Sequence, residues 1–80
     1  MWIYVVELYD SGIERAFKTS DKAREALWEL YLDLVDPDTR AKTNEYSGKT
    51  YEQEDAECLA EYGYIDCFGG IVETWLEVAE

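Results

Sequence analysis

The sequence predicts one α+β domain spanning residues 1–80, a single antiparallel sheet packed against two helices in the order ββααββ. Three observations predict it. Alternating β-branched and aromatic residues open the sequence and return near residue 71, two segments of helical periodicity lie between them, and turn residues mark the junctions. With 48% hydrophobic and 15% aromatic residues, the 80-residue chain has the material for one small core and is unlike a disordered acidic tail.

Trp2 to Tyr9 reads as the first strand, with Trp2, Tyr4, Val6 and Leu8 on one face and Ile3, Val5, Glu7 and Tyr9 on the other. Asp10, Ser11 and Gly12 supply turn chemistry, and the alternation resumes from Ile13 to Lys18, which makes a β-hairpin. Thr19 or Ser20 then caps a helix whose apolar positions Ala23, Ala26, Leu27, Leu30, Leu34 and Val35 recur at three- and four-residue steps. Pro37 ends it, because Asp36 before the proline is pushed out of the helical region. Residues 37–49 are polar and predict a surface loop with a helical turn around Thr39 to Lys42. The capping-box pair Thr50 and Gln53 starts a second helix with a narrow apolar stripe of Ala56, Leu59 and Ala60, and Gly63 stops it after Tyr62. Tyr64 to Phe68 reads as a short strand and Gly69 with Gly70 as a tight turn. Ile71 to Val78 follows as a strong strand with Val72, Thr74, Leu76 and Val78 facing one way. Trp2, Trp28 and Trp75 are expected to fill the core; the alternative, with Ile71, Glu73, Trp75 and Glu77 facing outward, makes Trp75 an exposed anchor flanked by carboxylates.

The charge is lopsided. Nineteen Asp and Glu against seven Lys and Arg give a net charge of −12, which excludes a general nucleic-acid binder, since neutralising phosphates needs a basic footprint. Anionic membrane surfaces recruit Lys and Arg clusters and are disfavoured on the same ground. No apolar run of spanning length and no leader pattern is present, so a soluble cytoplasmic protein is expected. Histidine is absent, which removes the commonest acid/base and metal-ligating side chain. Cys58 and Cys67 are too few for a disulfide framework or a four-ligand zinc site and read as reduced, partly buried small hydrophobes. Asp36, Asp38 and Glu45 fail as a calcium loop, because Arg40, Ala41 and Ser47 stand where a ligand, the glycine and the closing glutamate are needed. Gly69 and Gly70 precede a strand rather than a helix, so they do not build a phosphate-cradling loop. The expectation is a protein with no metal, no cofactor and no enzymatic activity.

Residues 1–49 hold ten acids and seven bases, a net −3, whereas residues 50–80 hold nine acids and no Lys or Arg, a net −9. A merely solvated acidic face carries interspersed bases. On the first helix Asp21, Glu25, Glu29 and Asp33 follow one another at four-residue steps, with Asp36 three further on. They form one stripe whose members lie about 6 Å apart, comparable to the spacing of phosphates along a nucleic-acid strand. Asp33, Asp36 and Asp38 also crowd the negative end of the helix dipole, where stability alone would place Lys or Arg. On the second helix Glu54, Glu57 and Glu61 share a face, with Glu52 and Asp55 beside them. Tyr46, Tyr51, Tyr62 and Tyr64 cluster near these acids, and tyrosines are favoured binding anchors. The candidate partner-binding residues are therefore Glu25, Glu29, Asp33 and Asp36, then Glu52, Glu54, Asp55, Glu57 and Glu61, with Tyr51, Tyr62 and Tyr64 as anchors.

Small size, strong acidity, aromatic richness, absent histidine and an α+β build together resemble the small phage and mobile-element proteins that inhibit bacterial defence, notably anti-CRISPR and DNA-mimic anti-restriction proteins. The resemblance is compositional and covers the whole chain. It implies a stoichiometric, non-enzymatic inhibitor in the host bacterial cytoplasm that occludes the DNA-binding surface of a CRISPR effector or similar defence protein. The partner is then a basic nucleic-acid-binding protein, with no direct contact to nucleic acid or membrane. The alternative is a self-associating structural or adaptor domain, a homodimer in which the first or final strand pairs with a second copy and the acids serve solubility.

Overall fold

The computed structural model describes residues 1–77, apart from the side chains of Ile13 and Glu14. In chain order it contains β1 (Trp2–Leu8), β2 (Gly12–Phe17), α1 (Ser20–Leu34), α2 (Pro37–Arg40), α3 (Tyr51–Tyr62), β3 (Tyr64–Ile65) and β4 (Gly69–Trp75). The four strands form one antiparallel sheet in the order β2-β1-β4-β3, and the α+β class follows as expected. Gly12, at φ 86°, supplies the left-handed turn residue of the first hairpin. A register shift between Val6 and Glu7 sets Arg15 opposite Val6 and Ile13 opposite Glu7, so the alternation of β2 is interrupted by a bulge.

Val6 and Leu8 project from β1 into the core, where they meet Ala23, Leu27 and Tyr31 of α1, Leu59 of α3 and Ile65 of β3. Thr19 caps α1, its hydroxyl accepting from the Lys22 amide at 3.3 Å. The buried line on α1 is Ala23, Leu27 and Tyr31. Leu34, expected on the apolar face, is exposed, and Tyr31 takes part of that burial instead. Asp36 and Pro37 end α1 and start α2 at once, because an Asp cap followed by proline at the first helical position is itself a helix signal. The expected turn at Thr39 to Lys42 therefore arrives two residues early. Both bonds of the Thr50–Gln53 capping box form, and Gly63 closes α3 at φ 79°.

The predicted tight turn at Gly69 and Gly70 is corrected. The turn lies at Ile65–Phe68, closed by the Phe68 amide donating to the Ile65 carbonyl at 3.1 Å, with Cys67 at φ 61° in the left-handed position where glycine is usual. The expected strand over Tyr64 to Phe68 accordingly shrinks to Tyr64–Ile65, and both glycines belong to β4. Gly69 is required by contact rather than by torsion: a Cβ there would lie 2.5 Å from the Glu7 carbonyl oxygen and 3.3 Å from Leu27 Cδ1. The final strand ends at Trp75, and Val78, expected at its end, lies outside the described residues.

Along the helix-facing side of β1, burial runs from exposed Trp2 through half-buried Tyr4 to buried Val6 and Leu8, so the helices cover one end of the sheet. This corrects the expectation that Trp2 and Trp75 fill the core. They are 54% and 57% exposed and meet edge to face at 5.5 Å. Trp28 does pack against the core and stacks on Tyr31 at 4.9 Å. The molecule is elongated, 53 × 22 × 16 Å, with a radius of gyration of 14.0 Å against about 12 Å for a compact domain of this length. Among the described residues no helix is long and apolar enough to cross a membrane.

Candidate protein-interaction surfaces

The acids of α1 stand on its outer ridge. Asp21, Glu25, Glu29 and Asp33 each lie two positions from the buried line Ala23, Leu27 and Tyr31, which places them about 160° around the helix from the core. All four are exposed, and among the described residues none forms an ion pair. Twelve residues of helix spread them over about 18 Å. Lys22 flanks the ridge, and Arg15 of β2 borders the groove beside Glu29 and Asp33. Asp36 does not continue the stripe. It sits beyond the end of α1 and caps α2, its carboxylate accepting from the Asp38 amide at 3.4 Å, so the ridge ends at Asp33.

The acids of α3 are employed differently. Glu52 pairs with Arg40, whose Nε also donates to the Val35 carbonyl at 3.1 Å. Glu54 accepts from the Ser47 hydroxyl and from Asn44 Nδ2 at 3.1 Å, and these two bonds hold its pKa below the ordinary glutamate value. Glu57 pairs with Lys49 at 2.8 Å. That contact raises the lysine pKa, chiefly through the hydrogen bond to Glu57. Asp55 accepts from the Tyr31 hydroxyl at 2.5 Å. Burial raises the Asp55 pKa against the opposing effect of that bond, and burial followed by the Asp55 bond raises Tyr31. Four of the five candidate acids on α3 thus bind α2, the 41–50 segment or α1 to the helix. Glu61 is exposed and takes part in no ion pair among the described residues.

A groove of about 700 Å³ lies between α2, α3 and the β3–β4 turn, and it gathers some of the candidates. Tyr51 and Tyr64 line it from two elements, together with buried Tyr31 and half-buried Phe68, which meet edge to face at 5.6 Å. Glu54, Asp55 and Asp66 bring carboxylates to it. Cys58 and Cys67 line it as free thiols, the first half-buried and the second exposed, which corrects the expectation that both are partly buried. A hydrogen bond to Cys58 raises the Tyr64 phenol above its ordinary pKa. Tyr62 stands next to Tyr64 at 6.1 Å, outside the groove. Asp66, Arg40 and Phe68 join the groove with no periodicity in the sequence to mark them, because the chain reversal at Cys67 brings two of them in.

The open strand edge is the third surface. β3 covers β4 only at Gly69 and Gly70, so among the described residues Val72–Trp75 pairs on one side alone, with β1. The Met1 amino group and the Leu76 amide each donate to the other residue's carbonyl at 2.8 Å. The two-residue alternation of antiparallel pairing then turns the backbone donors and acceptors of Glu73 and Trp75 outward, as the Ile71 amide bonding Gly63 already shows. Val72, Trp75 and Leu76 are exposed around that edge. No protein-family model matches the chain, and no curated protein or solved structure matches it either.

Proposed function

We propose that this chain is a non-enzymatic acidic inhibitor that binds the basic nucleic-acid-binding surface of a bacterial defence effector, a CRISPR effector or a similar protein, and blocks its DNA binding. The observation that carries this reading is the α1 ridge: Asp21, Glu25, Glu29 and Asp33, exposed, in register and opposite the core. Like charges at four-residue spacing destabilise a helix slightly, so the arrangement works against the fold and in favour of a cationic partner. A groove of Lys and Arg spaced for phosphates accepts carboxylates at similar spacing, with counterion release contributing. The carboxylates of α3 support the reading less, since Glu52, Glu54, Asp55 and Glu57 are engaged within the chain. Glu61, Tyr62 and Tyr51 extend the exposed surface on that side.

The test is capture from bacterial lysate at about 50 mM salt, followed by salt elution and a competition with duplex DNA. A DNA-binding protein that elutes with salt, loses its DNA to this chain and ignores a folded Glu29→Lys/Asp33→Lys variant is the expected result. Equal capture by that variant, or a captured protein that keeps its DNA, refutes the reading. The open edge of β4 favours a second reading, self-association by strand pairing. Sedimentation decides it. A dimer that persists in high salt and dissociates in Glu73→Pro, which removes an outward donor while sparing the β1 ladder, would support self-pairing.

A further inference from the structure

We propose that the groove between α2, α3 and the β3–β4 turn receives a single arginine side chain of the basic partner, an inference that rests on the reading of the chain as an acidic binding protein. Its lining combines aromatic residues with the carboxylates of Glu54, Asp55 and Asp66, beside Arg40 and Asn44. Tyr51 and Tyr64 present ring surface from α3 and from β3, and Asp55 and Asp66 bring carboxylates from α3 and from the turn. A cation between ring faces and carboxylates is held by both at once. Among the described residues Arg40 is the one cation of the lining, and it is already matched: its Nη1 meets Glu52 and its Nε donates to the Val35 carbonyl. Glu54 is likewise committed to Ser47 and Asn44, and Oδ2 of the half-buried Asp55 to the Tyr31 hydroxyl, which leaves Asp66, exposed and in no ion pair among the described residues, and the second oxygen of Asp55, Oδ1, to receive a ligand.

Guanidinium fits these demands better than ammonium. It is planar, stacks on a tyrosine ring and offers donors in several directions, so one group reaches carboxylates on two different elements. At about 700 Å³ the groove is far larger than a single ion needs and admits a side chain with its flanking backbone.

The probe is N-acetyl-L-arginine amide, titrated into the isotope-labelled full chain and followed by amide chemical shifts. N-acetyl-L-citrulline amide, nearly the same shape without the charge, and the lysine analogue serve as comparisons. Saturable shifts at Tyr64, Asp66 and Cys67 are expected, with citrulline at least about tenfold weaker and lysine in between. Tyr64→Ala and Asp66→Asn, both at exposed positions, should each weaken arginine at least about threefold without unfolding the chain. No saturable shift, an equal response to citrulline, or shifts confined to the α1 ridge overturns the proposal. The Glu29→Lys/Asp33→Lys variant separates the two readings. If it loses partner capture but keeps the arginine titration, the groove stands independently of the ridge. If the wild-type chain captures a DNA-binding protein yet ignores arginine, the groove assignment alone falls.

Discussion

Exchanging the small residue between two neighbouring positions tests where the chain turns after β3. In Gly69→Ala the added Cβ would stand 2.5 Å from the Glu7 carbonyl oxygen and 3.1 Å from Leu8 Cδ2. An ordinary carbon–oxygen contact is about 3.4 Å, so β1 and β4 would have to part by close to an ångström at the place where Leu27 packs. Overpacking costs about 1–3 kcal/mol, and the upper end applies because the obstacle is backbone. Cys67→Gly works in the opposite direction. It relieves a side chain held at φ 61°, worth about 1–2 kcal/mol, against about 0.5–1 kcal/mol of added unfolded-state freedom. Urea unfolding at pH 7, with a slope of about 1 kcal/mol/M, should lower the midpoint by about 2–3 M in the first variant and raise it by up to about 1.5 M in the second. If Gly69→Ala were neutral and Cys67→Gly destabilising, the turn would lie at residues 69–70 and the pairing of Gly69 with Leu8 would be wrong.

Glu29→Lys converts two repulsive four-residue pairs, with Glu25 and Asp33, into attractive ones, so it should raise thermal stability by about 0.5–1 kcal/mol while weakening partner capture, a combination seen by melting and pull-down on the same sample. Tyr31→Phe removes the donor to Asp55 and should cost about 1–2 kcal/mol at pH 7 in urea titration, whereas Asp55→Asn keeps an acceptor for the hydroxyl and should cost less. The native pKa of Asp55 is raised, so its proton is held more tightly in the folded state; its contribution is complete below the unfolded value, about 4, and is lost as pH rises through the native value. Asp55→Asn should remove that part of the pH dependence. Glu54, with its pKa lowered, has the opposite sign: its contribution exists above about 4.3 and is lost as pH falls through the native value, so Glu54→Gln should flatten the acid limb of unfolding curves recorded from pH 5 downward. Arg40→Ala frees α2 from Val35 and Glu52 and should cost about 1–2 kcal/mol, with faster amide exchange at Ala41 as the local readout.

What was legible in the sequence was local. The alternation of β1, the caps at Thr19 and Thr50, the stop at Gly63 and the proline boundary at Asp36 depend on neighbours a few residues away, and each appears where periodicity and capping chemistry place it. The misreadings depend on residues far apart. Gly69 looks like a turn residue until Glu7 is brought against it, and Cys67 does not look like one. Tyr31 enters the core because Asp55, twenty-four positions later, receives its hydroxyl. Trp2 and Trp75 stay exposed because the helices end before they reach that end of the sheet. For the interaction surfaces, four-residue spacing located the α1 ridge but could not separate it from the acids of α3, whose partners Arg40, Asn44, Ser47, Lys49 and Tyr31 come from three other segments.

The order β2-β1-β4-β3 puts residues 2–8 beside residues 69–75 at the middle of the sheet. On a ribosome, β1 and β2 emerge and pair as a hairpin while the inner edge of β1, with Val5 and Val6, still has nothing to bond until Trp75 has cleared the exit tunnel. Closing so long a loop is entropically late, and contacts of this sequence separation slow folding. Until β4 joins, that edge of β1 stays open. The acids borne by α1, already translated by then, would keep such intermediates apart by charge repulsion. Under the proposed function, the same carboxylates would serve first in synthesis and later in recognition.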